Sequence, residues 1–495
     1  MKYLMLVWVM ILCLLPLGGW AEEETTPALY PIRENGLWGY MNRAGEVVIE
    51  PQWLQAYPFT EKYALVGTFP LRNYGNVEGD GLIDRQGNWI IQPQENLRIT
   101  ESFCTWNLEI RNGDKYSVGF LDKKSGFCMM PDPEYIQLLN WYEDGSGPIP
   151  VMNTDEMIGF IDRTSGQVVI PFIYNELTED IGFENGYSIA ASAGQNLIDE
   201  YGTEINFVLI NDVGQKTEFP KGVYAFSGVN MDRLVICDAR GFFGLARPDG
   251  TIIVELKYEA LSSPEDDGVI SFLEKRDNRY YAGHMDLNGN VIVPAIYCLR
   301  TDENHAPYYD TYCFSGGYAV FVDVSSEHGS YDNGRTVILD VTGNEVLSLP
   351  CRLSDGKVMT FDGAVNAGYV MENGLIWYRI CDTEQDRKQI QGDGVRYGLI
   401  RLKDDTYEFV GDAGFECPYG GVLKPELYDY SAAFCEGLHP VRQNGFWGYI
   451  DEDAQWVIPP QYDKAASFSD RLALVEKDGK LMYIDHSGAV VWEEQ

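Results

Sequence analysis

The chain is poor in the residues that most chemistry relies on. It has 5 His in 495 residues, and 37 Lys and Arg stand against 75 Asp and Glu. A formal charge of −38 opposes binding to phosphate backbones, which reward Lys and Arg. It also opposes anchoring to anionic lipid through a basic patch. No nucleic-acid partner is expected. No two cysteines form a Cys-x-x-Cys, so the close ligand pairs of a structural zinc site are missing. The cysteines stand singly among apolar residues, as strand positions rather than a disulfide framework. There is no G-x-S-x-G, no P-loop, no G-x-G-x-x-G and no H-E-x-x-H. No catalytic, cofactor-binding or metal-binding residue is assigned. Helical periodicity is nearly absent, and Gly and Pro recur too often for long helices.

Only one long apolar run exists, from Tyr3 to Leu17, after Lys2 and before Gly19-Trp20-Ala21 and the acidic Glu22-Glu23-Glu24. This is the order of a secretory signal with small residues at its cleavage position. Residues 1–21 are expected to be a signal peptide and 22–28 a short acidic linker. The mature chain would then be secreted or held in the cell envelope, with no membrane span.

What the chain has in abundance is repetition. Leu29-Tyr-Pro-Ile-Arg-Glu-Asn-Gly-Leu-Trp-Gly-Tyr40 and Leu438-His-Pro-Val-Arg-Gln-Asn-Gly-Phe-Trp-Gly-Tyr449 agree at eight of twelve positions. Weaker copies run between them, for example Val118-Gly-Phe-Leu-Asp122, Ile158-Gly-Phe-Ile-Asp162 and Ala282-Gly-His-Met-Asp286. Counting partial copies gives about eleven units, the intact ones about 40 residues apart.

One unit is legible as β-structure. Two runs of β-formers flank Asp-x-x-Gly or Asp-x-x-x-Gly, where Asp caps a type I turn and Gly closes the hairpin with a bulge. The recurring Asp122, Asp162, Asp286, Asp340, Asp451 and Asp485 are read as turn caps rather than calcium ligands, since the dense spacing of an oxygen cage is missing. The second run meets Pro (Pro51, Pro93, Pro131, Pro171, Pro294, Pro459), which is expected to end ladder pairing. Asn-Gly or Asp-Gly pairs (Asn35-Gly36, Asn373-Gly374, Asn444-Gly445, Asp478-Gly479) predict type I′ hairpins. Each unit thus reads as a three-stranded meander. The Gly inside Trp-Gly calls for a close neighbour, expected to be an aromatic ring of the adjacent unit. Trp38 and Trp447 are read as core packing between repeats.

These residues resemble the WG-repeat (KWG) family, bacterial exported proteins built from tandem β-repeats. The pattern stands best at 445–468 and 36–59, and weaker copies cover most of 29–495. The resemblance implies an all-β array of tandem repeats of about 40 residues, superhelical or propeller-like. It implies no common reaction.

The array divides into an N-terminal part (29–300), degenerate repeats with inserts (301–396) and a C-terminal part (397–495). Its best copies lie near the two ends, which hints at ends that meet, although eleven units exceed the usual 4–8 propeller blades. A superhelix or two rings is the expectation. His305 and His328, beside Asp302, Glu303, Asp310, Asp323, Glu327 and Asp332, are read as solvated-loop residues rather than a metal or acid–base site. Tyr308, Tyr309 and Tyr312 are candidate contacts. The expected function is non-catalytic: a binding or scaffolding module, monomeric, for a protein or cell-envelope glycan. The alternatives are a carbohydrate-active enzyme on a propeller-like scaffold, needing two carboxylates in one cleft, and a structural spacer.

Overall fold

The computed structural model describes residues 28–60, 62–68, 80–94, 96–102, 104–112, 115–139, 145–174, 182–198, 204–264, 268–299, 314–315, 317–323, 334–360, 374–382, 395–403, 406–416 and 434–495. Among them the chain is all β, with forty strands and no helix. The strands form eleven antiparallel sheets, each made from consecutive stretches of chain. Eight sheets have four strands, two have three and one has two. The expected three-stranded unit therefore gains a fourth member in most copies. The addition is often only two residues long, as at Gln55–Ala56, Ala260–Leu261 and Lys464–Ala465. It sits just after the Trp or Tyr that closes the preceding sheet, too short to carry a strand pattern in the sequence.

The turns are those the residues specify. Asn35-Gly36, Asn444-Gly445 and Asp478-Gly479 have positive φ at both positions, as type I′ requires. Asp277-Asn278 and Asp470-Arg471 adopt the same geometry without glycine. At the Asp-x-x-Gly loops the carboxylate reaches forward to backbone N–H groups. Asp286 Oδ1 accepts from Asn288 and Asn290 at 2.8 and 2.9 Å. Asp340, Asp451 and Asp485 repeat this pattern two and four residues on. Asp122 accepts from Ser125 and Asp162 from Thr164. These hydrogen bonds to the charged form hold the Asp122, Asp162, Asp286, Asp340 and Asp485 carboxyls below their ordinary range, against partial desolvation.

The Trp-Gly glycine has a different neighbour from the one expected. Opposite Gly39 the partner strand bulges: Trp38 pairs with Trp53 and Tyr40 with Ile49, so three residues face one. A Cβ on Gly39 would lie 2.6 Å from Pro51 N and 2.8 Å from Glu50 C. Gly448 meets Pro460 N and Pro459 C at the same distances. The close approach is thus to the backbone of a bulge in the same sheet rather than to a ring of the next unit. Pro51 and Pro459 sit within strands Val47–Trp53 and Trp456–Tyr462 rather than ending them. A bulge leaves a residue outside the ladder, so a Pro without an N–H costs nothing there.

Side chains from successive sheets share their cores. Tyr40 packs edge-on against Phe59, 4.8 Å between ring centres, and its hydroxyl donates to Tyr57 O at 2.8 Å. Tyr449 does the same with Phe468 and Ala466 O. Trp38 and Trp447 are buried in such inter-sheet cores, as expected. Each sheet shares a core with the next along the chain.

The last sheet shares a core with the first. Leu472, Leu474, Leu481, Tyr483 and Trp492 pack in one cluster with Tyr30, Ile32, Trp38 and Tyr40. Tyr483 donates to Pro31 O at 3.1 Å and Tyr30 to Asp470 O at 2.6 Å. The Arg33 guanidinium grips Glu494 with two hydrogen bonds, 2.5 and 2.9 Å. The eleven sheets therefore form one closed circuit of contacts. A single ring, set aside on blade number, is what the packing gives, because the near-identical terminal repeats meet each other as internal ones do.

Candidate ligand groove

Sequence candidates for chemistry are dispersed or occupied. His284 is wholly buried, its Nδ1 3.1 Å from Ser271 Oγ on the neighbouring strand. Burial drives its pKa down to about 3, so the ring is neutral. His439 is buried beside Trp377 and Phe434, ring centres 5.4 and 5.3 Å away. His486 stacks on Phe468 and lies 2.8 Å from Glu436. All three take part in packing or pairing at ordinary repeat positions, as the sequence suggested. Asp323 is buried, accepting from Cys298 N at 3.1 Å and Arg335 Nε at 3.2 Å. It belongs to the fold rather than to a loop cluster. His305, His328, Tyr308, Tyr309 and Tyr312 lie outside the described residues, as do residues 1–27. Among the described residues no group of three or more His, Cys, Asp or Glu is placed to hold a metal ion. Among them, too, no helix is long and apolar enough to cross a membrane.

The feature the sequence did not reveal is a groove between the third and fourth sheets. The third sheet is built from Leu97–Glu101, Thr105–Asn112, Lys115–Asp122 and Cys128–Asp132. The fourth begins with Tyr135–Leu138. Strand alternation turns Leu97, Ile99, Trp106 and Leu108 toward the second sheet, where they are buried. The opposite face carries Val118 and Phe120 into the core shared with the fourth sheet. Beside that core the same face carries Arg98, Thr100, Asn107, Glu109 and Tyr116. With Gln137 they line a cavity of about 300 Å³ whose apolar surface includes Val118, Ile136 and Leu138.

Strand register shows how the groove arises. In every sheet one residue lies opposite the place of Tyr40, the position after the landmark glycine or, in three sheets, after the Val208, Val337 or Met482 that stands where that glycine would be. These residues are Pro31, Leu65, Asn107, Pro150, Ile189, Val235, Ser271, Val320, Trp377, Pro440 and Leu474. Ten of the eleven are buried, and Asn107 alone is part-exposed. Ser271, the other polar member, is paired with His284. At Asn107 the repeat gives up an apolar filler and gains an amide, and the sheets do not close over it. The signal was present in the sequence, but it needs the eleven units aligned by strand pairing. In unit 97–132 the Val118-Gly-Phe-Leu-Asp122 copy is legible, but only strand pairing brings Asn107 opposite Phe120.

The groove's polar groups are held in place. Arg98 stands directly across from Glu109, and Thr100 across from Asn107. Thr105 Oγ1 donates to Asn107 Oδ1 at 2.8 Å. The Arg111 guanidinium sits 5.3 Å from the centre of the Tyr116 ring. Among the described residues of the lining Glu109 is the one carboxylate and Arg98 the one cation, so their charges balance in a chain of −38.

Comparison with known proteins fits the repeat geometry. Residues 38–67, 81–94, 158–191 and 447–480 match the family described as WG containing repeat. These four segments match WG repeats. The matched segments contain the Gly39 and Gly448 bulges and the Tyr–Phe junctions described above. No curated protein matches the chain. Several solved structures do. The computationally designed Ika8 protein is 11% identical, covering 68% of this chain and 93% of its own, at a TM-score of 0.29. BamB from Moraxella catarrhalis is 8% identical, covering 79% and 94%, at 0.26. The β-propeller domain of the Trilobed protease from Pyrococcus furiosus is 10% identical, covering 64% and 93%, at 0.26. At TM-scores this low, the propeller-like architecture rests on the strand pairing and the closed circuit of cores.

Proposed function

We propose that this WG-repeat protein is exported and acts as a non-catalytic binding or scaffolding module for a cell-envelope or protein ligand. The observation that carries the reading is the groove between the third and fourth sheets. It is open, lined by both polar and apolar groups, and made by a departure from the repeat rule rather than by chance packing. Repeat architectures spend most residues on holding neighbours, so a position that stops doing so is a candidate for function. Among the described residues the groove's lining has one carboxylate, which favours binding over glycoside hydrolysis with its two carboxylates about 5–10 Å apart. The recurrent aspartates serve as turn caps and the described histidines as packing, which leaves them no evident catalytic task. The run from Tyr3 to Leu17 supports export.

The test is retention of the purified chain on isolated cell-envelope fractions, with and without protease treatment. Retention that survives protease points to glycan, and retention lost with it points to protein. Robust turnover of a defined glycan, abolished by one carboxylate substitution, would overturn the non-catalytic reading.

A further inference from the structure

We infer that the groove between the third and fourth sheets is a binding site for a short neutral saccharide, contacted by Arg98, Thr100, Asn107, Glu109, Tyr116 and Gln137. The inference rests on the binding-module reading above and gives it a place and a ligand class.

The chemistry of the lining selects the ligand. A guanidinium and two amides donate, a carboxylate and two amide oxygens accept, and the Thr100 and Tyr116 hydroxyls do both. Such a mixture matches groups that also donate and accept at once, as sugar hydroxyls do. Val118, Ile136 and Leu138 offer apolar surface for C–H faces, and Tyr116 adds an aromatic ring. An apolar ligand would cover the charged Arg98 and Glu109 while offering them no hydrogen bond. A polyanion would meet Glu109 and the −38 of the whole chain, and a polycation would find one carboxylate already beside Arg98. An amino-acid zwitterion would answer Arg98 and Glu109 but make no use of the Thr100 hydroxyl or the Gln137 amide. A volume of about 300 Å³ lies at the small end of ligand sites, which suits one or two sugar units rather than a long chain.

Asn107 is the residue that makes the site. Its equivalents Leu65 and Leu474 are buried in inter-sheet cores. Asn107→Leu should therefore be accepted by the fold while it fills the groove and removes the amide. This separates binding from folding, because the variant moves toward the repeat's own rule.

The experiment is calorimetric titration of the full chain with cellobiose, maltose and N,N′-diacetylchitobiose, and with diglycine as the zwitterionic control. The same titrations are run on Asn107→Leu and Glu109→Gln, with circular dichroism and melting curves to check the fold. The expected result is binding of at least one disaccharide, weakened more than tenfold in both variants at unchanged secondary structure. Absence of disaccharide binding, binding that survives Asn107→Leu undiminished, or binding of diglycine alone would overturn the inference. Envelope retention run in parallel separates the two levels. If Asn107→Leu is retained as well as the natural chain while no disaccharide binds, the groove assignment falls and the binding-module reading stands. If neither retention nor disaccharide binding occurs, both fall.

Discussion

Replacing Trp492 with Ala should loosen residues some 440 positions away. Trp492 lies in the last strand, Val490–Glu493, and is buried in the core that the last sheet shares with the first. Its ring sits 6.2 Å from that of Tyr483, which in turn packs 5.4 Å from Tyr30 and donates to Pro31 O. Truncating a buried Trp to Ala costs about 3–5 kcal/mol, from lost burial and the cavity left behind. At about 1.4 kcal/mol per tenfold, the low end of that range is a factor of roughly 100 in a local opening equilibrium. In an open superhelix the loss would be confined to the last sheet and its preceding neighbour. In the closed circuit it falls equally on the first sheet, Leu29–Glu34, Leu37–Asn42 and Val47–Trp53. The assay is native-state amide hydrogen exchange read by mass spectrometry. Peptides from the first and last sheets should both exchange about 100-fold faster or more, while peptides from the sixth and seventh sheets (223–298) change little. Acceleration confined to the C-terminal peptides would refute closure through this core.

Other outcomes are equally specific. Gly448→Ala should destabilise by about 1–3 kcal/mol or more, seen as a fall in the urea midpoint, because its Cβ would overlap the bulge backbone at Pro459 and Pro460. Gly445→Ala, where a Cβ meets nothing, should show only the cost of its positive φ. The capping carboxylates of Asp122, Asp162, Asp286, Asp340 and Asp485 have lowered pKa values in the fold. Their stabilisation is present above the unfolded carboxylate range and lost as pH falls through the folded values. The melting temperature should therefore drop below about pH 4. His284 adds a slope at higher pH: its folded value near 3 lies below the unfolded 6.5, so the unfolded state binds the extra proton between them. Stability should rise with pH across that window, and a His284→Gln variant should lose that part of the profile.

Much of the architecture was legible because it is local. Asp286 caps the turn two and four residues ahead of itself, and Asn444-Gly445 needs only its own φ values to reverse the chain. Pro51 shows where local reading misleads. A missing N–H says that no ladder bond forms at that residue, and both a strand end and a bulge satisfy it. Only the pairing of Trp38 with Trp53 beyond it identifies a bulge, and with it the reason for Gly39. The two-residue strands escaped for a related reason: Gln55–Ala56 is a strand only because Val66 and Gly67 lie beside it.

The sequence by itself determined an all-β chain of repeats, its turns and its caps, since each depends on residues within one unit, and recurrence of the unit marked Trp38 and Trp447 for the cores between units. The tertiary structure decided the closure and the groove. Closure depends on Arg33 meeting Glu494 and on Tyr483 reaching Pro31, contacts between the two ends of the chain. The groove depends on which face of a strand Asn107 occupies and on how far the fourth sheet stands from it. Such contacts are fixed by packing between units, which no unit's own residues specify.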